Sequence, residues 1–244
     1  MAELIEGSEE VEVGRTAVRA PDDTAVDVIH ARPLGMPRRG IVVHPDIFGL
    51  RPLFDDLARR LATHGHAVVV VEPFPGVPAD ERDGLTVEDR FALVPGLDDD
   101  RALGTLAAAA DLLVVEDGVA EVAILGFCMG GLYALKAAGT DRFDRAVSCY
   151  GMIRVPEAWR GPAVAEPLPG LVDACPTLAI LGGVDHWTPS ADVDALRAAL
   201  GAVPGSEVVV YPDADHGFLH DPSRPAHRPD DAADAWRRIL TFLG

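Results

Sequence analysis

The sequence predicts a single α/β domain over residues 1–244, built on a doubly wound, mostly parallel sheet flanked by helices. Three observations carry this. Six short runs (residues 40–44, 67–72, 122–126, 146–150, 177–182 and 207–211) are almost uniformly apolar, as strands buried on both faces are. Segments with helical spacing lie between them, and strands alternating with helices make a parallel sheet. The length of 244 residues suits one large domain, which should hide roughly 70% of its unfolded surface.

The elements follow in order. Residues 25–31 alternate and read as an outer antiparallel strand. The apolar run 40–44 precedes a helix over 52–64, where Leu53, Leu57 and Leu61 recur every fourth residue and Gly65 is the stop. Strand 67–72 leads into an irregular stretch, 73–96, rich in Pro, Gly and charge. A helix over 97–116 opens on Asp98, Asp99 and Asp100, which suit the positive end of its dipole. Strand 122–126 meets a helix over 130–138, and strand 146–150 a second irregular stretch, 152–176. Strand 177–182, helix 190–200, strand 207–211 and helix 230–243 complete the chain. In open α/β sheets, irregular excursions of this kind are either surface connections or walls over the ligand-binding strand ends.

Composition narrows the function. With 21 basic and 39 acidic residues the formal net charge is −18. Such a surface repels phosphate backbones and anionic lipid, so nucleic acid and membrane are excluded as expected partners. No apolar run approaches the ~20 residues of a membrane span, and residues 1–13 lack a secretory pattern, which places the chain in the cytoplasm. The only lysine, Lys136, would have to carry any Schiff-base chemistry alone. Cys128, Cys149 and Cys175 are an odd set without metal-type spacing, which argues for a reducing compartment, no disulfide framework and no metal.

The strongest local signal is Gly126-Phe127-Cys128-Met129-Gly130-Gly131, where an apolar strand turns at once into a helix. This is a nucleophile-elbow pattern with Cys in the place of Ser. The glycines leave room for a strained turn that lifts the sulfur above the sheet, at a helix N-terminus that favours negative charge. The Met129 N–H would then face a developing oxyanion. Cys149 and Cys175 have no such surroundings and read as small buried hydrophobes.

A nucleophile of this kind needs a base, and the base an orienting carboxylate, each from a separate strand end. Asp185 lies in Gly183-Val184-Asp185-His186 beyond strand 177–182, and His216 in Asp213-Ala214-Asp215-His216-Gly217-Phe218 beyond strand 207–211. Chain order and placement favour His216 over His186 as base, and Asp185 over Asp213 and Asp215 as orienter. His64, His66 and His227 read as helix-end or loop residues.

These residues together resemble the dienelactone hydrolase family of the α/β-hydrolase fold, over nearly the whole chain. The elbow, the Gly183-Val184-Asp185 segment, the Asp215-His216-Gly217-Phe218 segment and the turn Val43-His44-Pro45-Asp46-Ile47-Phe48-Gly49-Leu50 carry the resemblance. It implies Cys128 as nucleophile, His216 as base, Asp185 as orienter, the Ile47 and Met129 amides as oxyanion hole, and no cofactor. The implied activity is hydrolysis of a lactone or ester through an acyl-enzyme, with a small-molecule ester or lactone as partner.

Two departures bear on the substrate. Asp46 stands where the family usually has Glu, a carboxylate that engages the resting thiol, and it is either a thiol-activating group or structural. His220 stands four residues after the base, where resembling enzymes use a substrate-binding arginine; Arg90 and Arg101 are the other candidates for that task. Phe48, Tyr150, Trp187 and Phe218 are expected to form an apolar pocket wall, or to be core. The rival functions are a carboxylesterase or thioesterase of unrelated substrate on the same scaffold, and a non-catalytic binding protein.

Overall fold

A computed structural model describes residues 4–82 and 84–244. Eight strands form one sheet: β1 (Val11–Arg19), β2 (Ala25–Pro33), β3 (Arg39–His44), β4 (His66–Val71), β5 (Val122–Phe127), β6 (Arg145–Cys149), β7 (Thr177–Gly182) and β8 (Glu207–Tyr211), in the spatial order β1-β2-β4-β3-β5-β6-β7-β8. Pairings from β4 to β8 are parallel, and β1–β2 and β2–β4 are antiparallel. All six residues of each of β3, β4, β5 and β7 are buried, as their unbroken apolar runs required.

Two apolar layers cover the sheet. On one face α1 (Pro52–Thr63) packs Phe54, Leu57 and Leu61 against Ile41, Val68 and Leu125 of the sheet, and α7 (Pro229–Leu243) adds Trp236 and Ile239. On the other face α4 (Asp99–Asp117), α5 (Met129–Ala138) and α6 (Ser190–Leu200) bury Leu106, Leu113, Leu132, Leu135 and Leu196 against Val42, Val69 and Ile124. The period of two along each strand sends neighbours to opposite layers, so both faces need apolar side chains. Between β4 and α4 lie α2 (Ala79–Arg82) and α3 (Val87–Leu93), the latter started by a reciprocal Thr86–Asp89 capping box.

The sequence pattern does not announce β1. Only Val18 of its nine residues is buried, so this edge strand has no apolar face to display. Consequently β2, expected as the outer strand, lies one place inside the edge, between β1 and β4. The stretch 73–96 contains α2 and α3, and 152–176 contains two 3-10 turns, Glu157–Trp159 and Leu168–Asp173. His66 opens β4 and is buried rather than closing α1, and burial pulls its ring down to about 4. No helix among the described residues is long and apolar enough to cross a membrane.

One buried ion pair ties three segments together. Lys136 of α5 places Nζ 2.7 and 2.8 Å from the two carboxylate oxygens of Asp99 at the start of α4. Asp99 also accepts the Ala165 N–H at 2.7 Å, and the Lys136 ammonium lies 4.9 Å from the Tyr133 ring centre. Removing one partner of a buried pair strands the other charge. Lys136→Met is therefore expected to lower unfolding free energy by about 3–5 kcal/mol in a urea titration. A loss under about 1 kcal/mol would contradict this role.

Candidate active site

The site sits where the central strands end. β5 lies between β3 and β6, so the loops that follow all three meet at its C-terminal end. Cys128 occupies the turn from β5 into α5, with φ 57° and ψ −118°, a conformation that non-glycine residues adopt only under constraint. The constraint is close packing of backbone. A Cβ on Gly126 would stand 1.9 Å from the Gly130 carbonyl oxygen, and one on Gly130 would stand 2.1 Å from that of His44. The first glycine lets the helix fold back against the strand; the second lets the elbow press on the β3 loop. Cys128 donates its own N–H to the Cys149 carbonyl at 3.0 Å, which fastens the turn to the end of β6.

The turn makes Cys128 the residue at the head of α5, where helix dipole and orphan N–H groups favour negative charge. Cys128 is half-buried, Cys149 is fully buried, and burial drives the Cys149 thiol far above its usual range. Cys175 is half-buried, and burial pushes its thiol up to about 11. Among the described residues, neither the Ile47 nor the Met129 amide donates to another atom of the chain.

Asp185 and His216 lie side by side. His216 Nδ1 lies 2.8 Å from Asp185 Oδ2, while Asp185 Oδ1 accepts the Trp187 N–H at 2.8 Å. The Asp185 side chain is fully buried and that of His216 only 11% exposed. Burial alone would drive the imidazole towards its neutral form. The electrostatic interaction with Cys128 and the hydrogen bond to Asp185 outweigh it and hold His216 up at about 10. His216 Nε2 is buried and has no hydrogen-bond partner among the described residues. His186, the rival base, is exposed and packs its ring on Trp187.

Other expected site residues are placed differently. Asp46 is buried, and its carboxylate is fully engaged. Arg51 reaches both oxygens at 2.6 and 2.8 Å, the Phe48 N–H donates at 3.0 Å, and His220 Nε2 lies 3.0 Å away. No hydrogen bond among the described residues joins Asp46 to Cys128, and both carboxylate oxygens are held by other groups. His220 is wholly buried, with its second nitrogen on the Tyr150 hydroxyl, and so does not stand open to substrate. Phe218 is also fully buried, against Tyr150 and Tyr211, and belongs to the core rather than to a pocket wall. Tyr150 is buried too, but its ring meets His216 edge-on at 5.2 Å.

Phe48 and Trp187 keep half-buried surfaces, and Trp187 lies 6.4 Å from the His216 ring. Arg90 donates to the Ile47 and Arg82 carbonyls, and Arg101 pairs with Asp22, so both candidate anion binders are already engaged. Arg51, Arg224, Phe91 and Trp159 escaped the sequence reading. An open depression of about 620 Å³ beside His216 is lined in part by His186, Trp187, Asp215 and Arg224; Cys128 is outside its lining. Phe91 and Trp159 come from the two irregular stretches and stack around Trp187 at 6.3 and 5.8 Å. No local pattern marks Arg224, Phe91 and Trp159, because their contacts arise only when distant loops converge, whereas Arg51 pairs with Asp46 five residues before it.

Asp185, His186 and Asp215 bring ligand-type atoms within 4.8 Å of one another, a cluster their separation in sequence conceals. Asp185 is already taken up by His216 and Trp187, and Asp215 accepts the His216 N–H at 2.7 Å. Two of the three groups are thus already engaged in hydrogen bonds around His216.

Comparison with known proteins agrees with this architecture. A protein of Escherichia coli strain K12 is 32% identical, over 93% of this chain and 90% of its own. A Rhodococcus opacus protein named carboxymethylenebutenolidase is 30% identical over 92% of this chain and 88% of its own. A crystal structure from Klebsiella pneumoniae superposes with a TM-score of 0.80 at 27% identity, covering 96% of this chain and 98% of that one. The sequence profile of the dienelactone hydrolase family matches residues 26–244, and this chain belongs to that family.

Proposed function

We propose that the protein hydrolyses an ester or lactone by nucleophilic attack of Cys128, with His216 as acid and base and Asp185 as its orienter. The observation that carries this reading is the Asp185–His216 hydrogen bond of 2.8 Å, together with Cys128 held in the strained turn at the head of α5. Asp185 accepts from Nδ1, which fixes the ring's tautomer and leaves Nε2 for the sulfur and then the leaving oxygen. The Cys128 thiolate adds to the substrate carbonyl, and the oxyanion is received by the Ile47 and Met129 N–H groups. Each such donor is worth about 3 kcal/mol in the transition state. Collapse expels the alkoxide, which takes the proton from His216 Nε2 and leaves a thioester on Cys128. His216, now neutral, takes a proton from water, which attacks the thioester and frees the acid. In a lactone the leaving alkoxide stays tethered, so one hydroxy acid is released.

The named relative from Rhodococcus supports a cyclic enol ester as the substrate class. One observation favours a second reading, an ordinary carboxylester or thioester. His220 is buried, both its nitrogens are used, and burial keeps its ring below the usual value, so it offers no charge to a substrate carboxylate. Comparison of kcat/KM across aryl esters, acyl thioesters and lactones separates the two.

Cys128→Ala is expected to lower kcat at least about 1,000-fold on any substrate the parent cleaves, with an unchanged circular dichroism spectrum. Retained turnover would refute the covalent route. The pH profile gives a second check. His216 must carry a proton to release the leaving group, so kcat/KM should fall as pH rises through about 10. Asp185→Asn removes an interaction that raises this value, so the alkaline limb should move to lower pH as kcat drops about 1,000- to 10,000-fold. An alkaline limb that stays in place in Asp185→Asn would separate Asp185 from the base.

A further inference from the structure

Behind Cys128, Asp185 and His216 lies a second carboxylate–imidazole–hydroxyl chain. Asp46, His220 and Tyr150 have exposures of 1%, 0% and 0%. His220 joins the other two, with Nε2 3.0 Å from Asp46 Oδ2 and Nδ1 on the Tyr150 hydroxyl. The proton positions follow from the partners. Burial opposes charge on Asp46, but His220 and Arg51 overcome it and hold the carboxyl well below its usual range. An ionised carboxylate only accepts, so His220 Nε2 carries the hydrogen. Burial keeps the His220 ring neutral, so Nδ1 accepts, and burial keeps the Tyr150 hydroxyl protonated to donate. Each atom of the chain has one role, and each role is filled.

The chain links two loops that the proposed reaction needs in register. His220 is four residues beyond His216 on the loop after β8. Asp46 and Phe48 bracket Ile47, and the Phe48 N–H is itself held by Asp46. Tyr150, at φ 39°, sets its ring edge-on to His216 at 5.2 Å. We infer that His220 is a positioning residue: through Asp46 it fixes the Ile47 amide, and through Tyr150 it fixes the His216 ring, so that the site is assembled before substrate arrives. This inference rests on the hydrolysis proposed above. The competing explanation is ring packing alone, since His220 also stacks on Phe127 at 4.9 Å with planes 23° apart.

Two variants separate hydrogen bonding from packing. His220→Phe keeps an aromatic ring against Phe127 and loses both hydrogen bonds. His220→Gln keeps a donor for Asp46 and an acceptor for Tyr150. We expect His220→Phe to lose about 10- to 100-fold in kcat with KM little changed, because small misplacements of catalytic groups act on the chemical step. His220→Gln should recover most of that loss. Wild-type kcat in His220→Phe, equal losses in both variants, or a loss confined to KM would each overturn the inference. If His220→Phe does not fold, Tyr150→Phe decides: lowered kcat at unchanged KM supports the chain, and unchanged kcat refutes it. Failure of the hydrolase reading shows elsewhere, as equal turnover by the parent and Cys128→Ala.

Discussion

The site depends first on a backbone that can be folded tightly enough to hold Cys128 at φ 57°. The space below the sulfur is filled with main chain: Gly126 faces the Gly130 carbonyl, and Gly130 faces the carbonyls of His44 and Pro45. No side chain fits at either glycine without moving the β5–α5 turn away from the β3 loop. The same tightness puts Cys128 at the head of α5 and brings the Ile47 and Met129 amides to one end of the sheet. Geometry at the elbow therefore comes before electrostatics, because a sulfur placed elsewhere would meet neither the helix dipole nor His216.

Electrostatics then distinguishes the two histidines of the β8 loop. His216 and His220 are four residues apart, and each hydrogen-bonds a buried aspartate. Burial presses both towards the neutral form. For His216 the interaction with Cys128 and the Asp185 hydrogen bond reverse that pressure. For His220 the Asp46 carboxylate already has Arg51 as a counter-charge, and the ring stays neutral. The two rings are thus pushed in opposite directions, His216 above its usual value and His220 below it, although the residue type and the local fold are shared.

The sequence made legible what depends on local pattern. The parallel strands followed from unbroken apolar runs, and the elbow followed from glycines that only a close backbone approach explains. Asp185 and His216 were singled out by their places after β7 and β8, and the two side chains lie 2.8 Å apart. Long-range partnership was not legible. Nothing near Asp46 in sequence announces His220, 174 positions away, so whether the carboxylate served the thiol or the scaffold stayed open. The residues Phe218 and Tyr150 look like pocket aromatics from their neighbours in sequence, yet both are wholly buried. Strand β1 carried too little apolar alternation to be seen, because an edge strand with one buried residue has no need of it.

The measurement that bears most directly on the central claim is an NMR pH titration of the His216 ring nitrogens in the parent and in Cys128→Ala. Pairing of the imidazole with the sulfur predicts that both nitrogens of the parent remain protonated until the pH approaches about 10. Without the sulfur, burial regains weight and the ring should lose its proton at markedly lower pH. A parent ring that titrates near the ordinary 6.5, unmoved by Cys128→Ala, would contradict the account.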